Sequence, residues 1–188
     1  MIQRGFLLLT ILVAFWSHPA QGQPVANAVK QVALRHPARP AVAVLNRDKN
    51  FRDPGIDEAI EGSIYFDYDA EKAGKLIREY PEFLSLEIAV NDQETYILDL
   101  ISAAKSFNHS TVTGEDGRKT SLKYFKAAFY RGVVRGLEDQ TLVSVSLFEN
   151  ELGGVIFGNH GNLVIGKLKG ANKHILYNDK VLNYDLYP

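Results

Sequence analysis

The chain has 188 residues and no cysteine. That absence excludes disulfide staples, thiol catalysis, cysteine zinc sites and any thiolate offered to a metal as an inhibitory ligand. An excess of charge is lacking too: 21 basic residues stand against 22 acidic ones, for a net charge of −1. No single-sign field exists to draw nucleic acid or an anionic membrane surface. The five histidines are scattered, and none forms the i,i+4 pair of a zinc-binding helix. Beyond the first residues, no apolar run approaches the roughly 20 residues needed to cross a bilayer as a helix.

What is present begins with a targeting segment. Arg4 supplies a positive start, Phe6 to Trp16 an apolar run, and Ala20 and Gly22 the small residues of a cleavage site before Gln23. Residues 1–22 are expected to be a signal peptide, and the mature chain to be secreted or periplasmic and not integral to a membrane. An exported chain without cysteine points to a self-sufficient core and a bacterial source.

Residues 23–62 read as a poorly structured leader. Val25 to Leu34 allows a short helix, Pro37 and Pro40 interrupt it, Ala41 to Leu45 is one short apolar strand, and Arg47 to Gly55 is polar. From Ser63 the pattern sharpens. SIYFDYD is a strand leading to Asp69, which can cap a helix by accepting from an orphan backbone N–H. Ala70, Ala73, Leu76, Ile77 and Tyr80 then fall at helical spacing, so an amphipathic helix is predicted over about 69–80, stopped by Pro81.

Period-two alternation in FLSLEIAV and TYILDLISA, around a polar turn at Asn91 to Glu94, predicts an antiparallel pair. The link from 107 to 120 is expected to be a loop or a hairpin standing out from the sheet. It holds a sequon at Asn108–Ser110 and a dibasic pair at Arg118–Lys119. Strands are then predicted over about 124–134, 141–148, 152–157, 163–168 and 174–177. The predicted class is α+β, mainly β: an antiparallel meander forming a sandwich or open barrel, with the single helix packed on it. Residues 63–182 form this β-rich domain and 183–188 a tail.

No constellation carries chemistry. His36, His109, His160 and His174 lack partners in sequence, and the acid pairs Asp67/Asp69 and Glu149/Glu151 have no cleft signature around them. A calcium site at Asp67, Asp69 and Glu71 is less economical than helix capping by Asp69. Gly153–Gly154 and Gly158–Gly161 sit inside strand patterns, where they serve as bulge and turn residues. Arg131 and Arg135 share a strand face, an anion patch or a solvated surface. No catalytic, cofactor-binding or metal-binding residue is therefore predicted.

One feature is more specific. YRGVVRG, at Tyr130 to Gly136, precedes TLVSVSLFENELGGVI, and the two together resemble the propeptide of reprolysin-type zinc metalloproteases, the adamalysin/ADAM group. Tyr130, Gly132, Val134 and Gly136 carry the first phrase, Val143, Ser144, Ser146 and Leu147 the second, and Leu152, Gly154 and Ile156 the third. GNLVIGKL and HILYNDKVL are similar to the N-terminal regions of secreted reprolysin-like proteases of Bacteroidetes-type bacteria. The resemblance covers about Ser63 to Leu182. It implies a non-catalytic prodomain-like module, needing no cofactor, that assists folding of a reprolysin-like catalytic domain or masks its cleft, with an unpaired sheet edge as one route of contact. The sequence departs from the family pattern twice: it contains no HExxHxxGxxH, and it has no cysteine to place on the zinc. Any inhibition is then steric or carboxylate-based. The alternative expectation is a free-standing secreted β-sandwich module that binds a glycan or a protein surface.

Overall fold

A computed structural model describes residues 23–36, 40–103, 111–114, 116–121 and 126–182. The proposed signal peptide, the tail and the sequon lie outside the described residues. The described residues form eleven strands and three α-helices: α1 (Gln23–Ala33), β1 (Leu45–Arg47), α2 (Pro54–Ala59), β2 (Ile64–Tyr68), α3 (Ala70–Glu79), β3 (Phe83–Ala89), β4 (Thr95–Ser102), β5 (Thr111–Thr113), β6 (Lys119–Ser121), β7 (Ala127–Val134), β8 (Thr141–Phe148), β9 (Leu152–Gly158), β10 (Leu163–Lys167) and β11 (His174–Asn178). Nine of the strands form one antiparallel sheet in the order β1-β2-β11-β10-β9-β8-β7-β4-β3, and β5 and β6 form a separate hairpin. The class is the predicted one, mainly β with few helices, and the sheet curls into a nearly closed barrel.

Closure depends on the stretch before β2. The Val42 N–H donates to Ser85 O at 2.9 Å and Val42 O accepts from the Glu87 N–H at 3.1 Å, so residue 42 lies beside β3. Three residues later the same extended chain pairs with β2, Leu45 opposite Tyr68 and Arg47 opposite Phe66. One segment thus belongs to both ends of the sheet, and little unpaired edge remains on the barrel. Residues 23–62, expected to be a poorly structured leader with a short helix allowed over Val25–Leu34 and a short strand over Ala41–Leu45, hold α1, β1 and α2. Their order comes from tertiary packing. Ala26, Val29 and Val32 of α1 cover Phe83, Ile101 and Val133 on the outside of β3, β4 and β7. Ala59 and Ile60, with Phe51 and Ile56, cover Tyr65 and Ile175 on β2 and β11.

Inward-facing residues fill the barrel. Leu86, Leu98, Leu100, Leu147 and Leu152 are fully buried, each stabilising the fold by roughly 1.5–3 kcal/mol. The helix α3 plugs one end, with Ala73 and Leu76 joining the same core. Its start is the predicted cap: Asp69 Oδ1 accepts from the Lys72 N–H at 3.0 Å. Its end is Tyr80, a left-handed residue at φ 39°, a conformation that a non-glycine residue adopts only under tertiary constraint. The constraint is on its hydroxyl, which accepts from the Phe129 N–H at 3.2 Å and packs its ring edge-on to Tyr130 at 5.6 Å.

Candidate functional site

The residues of the three sequence phrases come together on the neighbouring strands β7, β8 and β9, in register: Tyr130 lies opposite Val145, Val145 opposite Gly154, and Gly132 opposite Val143. Most of them build the wall. Tyr130, Val134 and Leu152 are buried, and burial pushes the Tyr130 hydroxyl well above the usual phenol range. A β-carbon on Gly132 would collide with the backbone of Asp99 and Leu100 on β4, and one on Gly154 would stand 2.9 Å from Ser144 O. These two glycines let adjacent strands approach closely enough for the sheet to curl. Gly136, at φ 83°, turns the chain out of β7.

Ser144 and Ser146 differ from the rest. Both point outward, and no packing inside the barrel requires a serine there. They open onto a face that α1 and α2 leave bare, since the apolar clusters beneath those helices include no residue of β8, β9 or β10. The outward positions are Leu142, Ser144, Ser146 and Phe148 on β8, Gly153, Val155 and Phe157 on β9, and Val164 and Gly166 on β10. None is ionisable. Phe157 is 44% exposed, and Phe148 meets Phe129 of β7 edge-on at 6.0 Å. Arg131, opposite Ser144, and Glu149 and Glu151 in the β8–β9 turn stand at the margin.

The face is also flat. A β-carbon on Gly153 or Gly166 would meet no atom within 4 Å. Glycine weakens a strand by roughly 0.5–1 kcal/mol relative to alanine, and neither position has a turn or a close approach that requires it. A glycine in such a place suits the close approach of another molecule's backbone. A solvent-facing antiparallel sheet ordinarily carries polar side chains on its outer phase. Protein-binding surfaces share an uncharged centre with aromatic side chains and a polar or charged margin.

Other groups are engaged structurally. Ser85 donates to Asp99 at 2.7 Å, and Arg135 grips both oxygens of that carboxylate at 2.9 and 2.7 Å, tying β3, β4 and the end of β7 together. Among the described residues no imidazole adjoins the serine to act as a base. Lys173 pairs with Asp48 and with Asp67, the latter at 2.7 Å, which accounts for one of the candidate acids. Asp69 is the cap, and His36 meets Glu82 at 3.2 Å. His174 lies inside the barrel, fully buried, its Nε2 accepting from the Leu152 N–H at 3.0 Å. Burial lowers its pKa to about 4.

His160 stands at the barrel mouth opposite α3, beside a pocket of about 140 Å³ lined by Tyr96, Thr141, Ile156 and Leu163. Small-molecule sites ordinarily exceed about 300 Å³. Among the described residues no group of three or more His, Cys, Asp or Glu side chains is placed to hold a metal ion, and no helix is long and apolar enough to cross a membrane. Sequence reasoning named Ser144, Ser146 and Gly154 and read Gly153 as a bulge or turn residue, but missed Val155, Phe157 and Gly166. The available signal was the lack of charge on both phases of two adjoining strands. No family model matches the chain, and neither a curated protein nor a solved structure matches it.

Proposed function

We propose that this chain is a non-catalytic, prodomain-like module of a secreted reprolysin-like zinc metalloprotease, assisting the folding of the catalytic domain or masking its cleft. The observation that carries the proposal is the uncharged outer face of β8–β10, because the strands that bear it are those of the propeptide-like phrases. The resemblance supplies the partner, and the face supplies a surface to seat it. Contact through the sheet face replaces contact through a sheet edge, since the extended stretch from Val42 to Arg47 occupies both ends of the barrel sheet. With no cysteine in the chain, inhibition would come from covering the cleft or from a carboxylate, and not from a thiolate placed on the zinc.

The free-standing binding-module reading uses the same face. Glycan stacking is poorly served there, because Phe157 is its one large exposed apolar side chain. The test is titration of the purified chain into a reprolysin-like catalytic domain, following peptide hydrolysis and the heat of binding. Saturable binding with loss of hydrolysis, or a higher yield of active protease when the two are refolded together, is the expected result. Neither binding nor any change in refolding yield would overturn the proposal.

A further inference from the structure

The geometry points to the Arg118–Lys119 bond as a site of limited proteolysis by a trypsin-like endopeptidase, converting the protein to a two-fragment barrel held together without a covalent link. The inference does not rest on the proposed function. The hairpin of β5 and β6 is a sheet of its own, its described residues paired Thr111↔Ser121, Val112↔Thr120 and Thr113↔Lys119. Arg118 ends its turn with its side chain 88% exposed, and it makes a local ion pair with Asp116 at 3.4 Å. Gly117 turns the chain at φ 75°, and the Gly114 N–H donates to Arg118 O at 2.9 Å.

A serine endopeptidase needs several residues extended in its cleft. An isolated pair of three-residue strands is marginal in water and opens locally at little cost. Three other exposed basic residues demand more. Lys75 and Arg78 lie in α3, whose Ala73 and Leu76 are core, and Lys169 sits in the tight connection between two barrel strands. A protease with an acidic primary pocket reads Arg118 and Lys119 directly. Hydrolysis adds water across the peptide bond, leaving a carboxylate on Arg118 and an ammonium on Lys119.

The two products interlock. The fragment ending at Arg118 keeps β1–β4 and all three helices, and the fragment beginning at Lys119 keeps β7–β11. They meet along two antiparallel seams on different sides of the barrel, β4 with β7 from Leu98↔Val134 to Ser102↔Tyr130, and β2 with β11 from Ile64↔Leu176 to Phe66↔His174. Both fragments also contribute to the same interior core.

Limited trypsin digestion of the purified chain, sampled over time by intact mass and by native size exclusion, tests the inference. The first products should break at Arg118 or Lys119, run as two bands when denatured, and co-elute at the uncut size with unchanged circular dichroism. The double variant Arg118→Gln/Lys119→Gln should lose that pair of products entirely and keep the uncut fold. A first cut elsewhere, or the same products from the double variant, would overturn the site. Separation of the fragments on sizing would overturn the two-fragment barrel.

Discussion

Inside the barrel, His174 is a base held in its neutral form. Its Nε2 accepts from the Leu152 N–H, so a second ring proton would set donor against donor. The Tyr68 ring lies 5.0 Å away, and Lys167 adds positive charge nearby. The folded pKa of about 4 lies below the ordinary 6.5. The unfolded chain therefore takes up this proton first as pH falls, and stability is lost between about pH 6.5 and 4, by up to about 3 kcal/mol. Urea midpoints measured across that range should fall for the wild type and stay flatter in His174→Gln, whose amide oxygen still accepts from Leu152. Parallel slopes would refute the assignment. Gly132 is a second sensitive position. Gly132→Ala forces a methyl into the β4 backbone and should cost about 3 kcal/mol, lowering the thermal midpoint by about 6–12 °C. Gly153→Ala, which opens onto empty space, should change it little.

At the scale of elements, α3 is the piece on which the closed end of the barrel depends. Asp69→Ala removes an acceptor from the Lys72 N–H and should cost about 1 kcal/mol in chemical denaturation, with Asp69→Asn retaining most of it. This helix was legible in the sequence because cap, apolar stripe and proline stop agree with one another. The strands were legible for the same kind of reason: TLVSVSLF alternates cleanly and becomes β8 with its predicted ends, Thr141 and Phe148. The closure of the sheet was not legible. Ala41 to Leu45 reads as a short apolar strand, but residue 42 and β1 make only short pairings, and what orders them is the sheet they bridge. Likewise α1 is fixed by the apolar patch of Phe83, Ile101 and Val133, three residues far apart in sequence. Within the candidate site, the glycines read as turn or bulge residues until Gly132 and Gly154 were seen against neighbouring backbone and Gly153 against open space.

For the molecule as a whole, helices cover the barrel on two sides, and among the described residues none covers a third. The bare side pairs outward serines and glycines with Val155, Val164 and Phe157, and no charge interrupts it. The barrel itself asks nothing of these positions, so a substitution there should separate binding from folding. Val155 lies mid-face, opposite Ser144 on one side and Val164 on the other. Its replacement by arginine places an unpaired charge where a partner would have to desolvate it. The most direct measurement is calorimetric titration of the wild type and Val155→Arg against a reprolysin-like zinc protease catalytic domain, with thermal unfolding of both proteins alongside. The account predicts measurable binding by the wild type, at least 100-fold weaker binding by Val155→Arg, and thermal midpoints within about 2 °C of each other. Equal binding by the two proteins would contradict it.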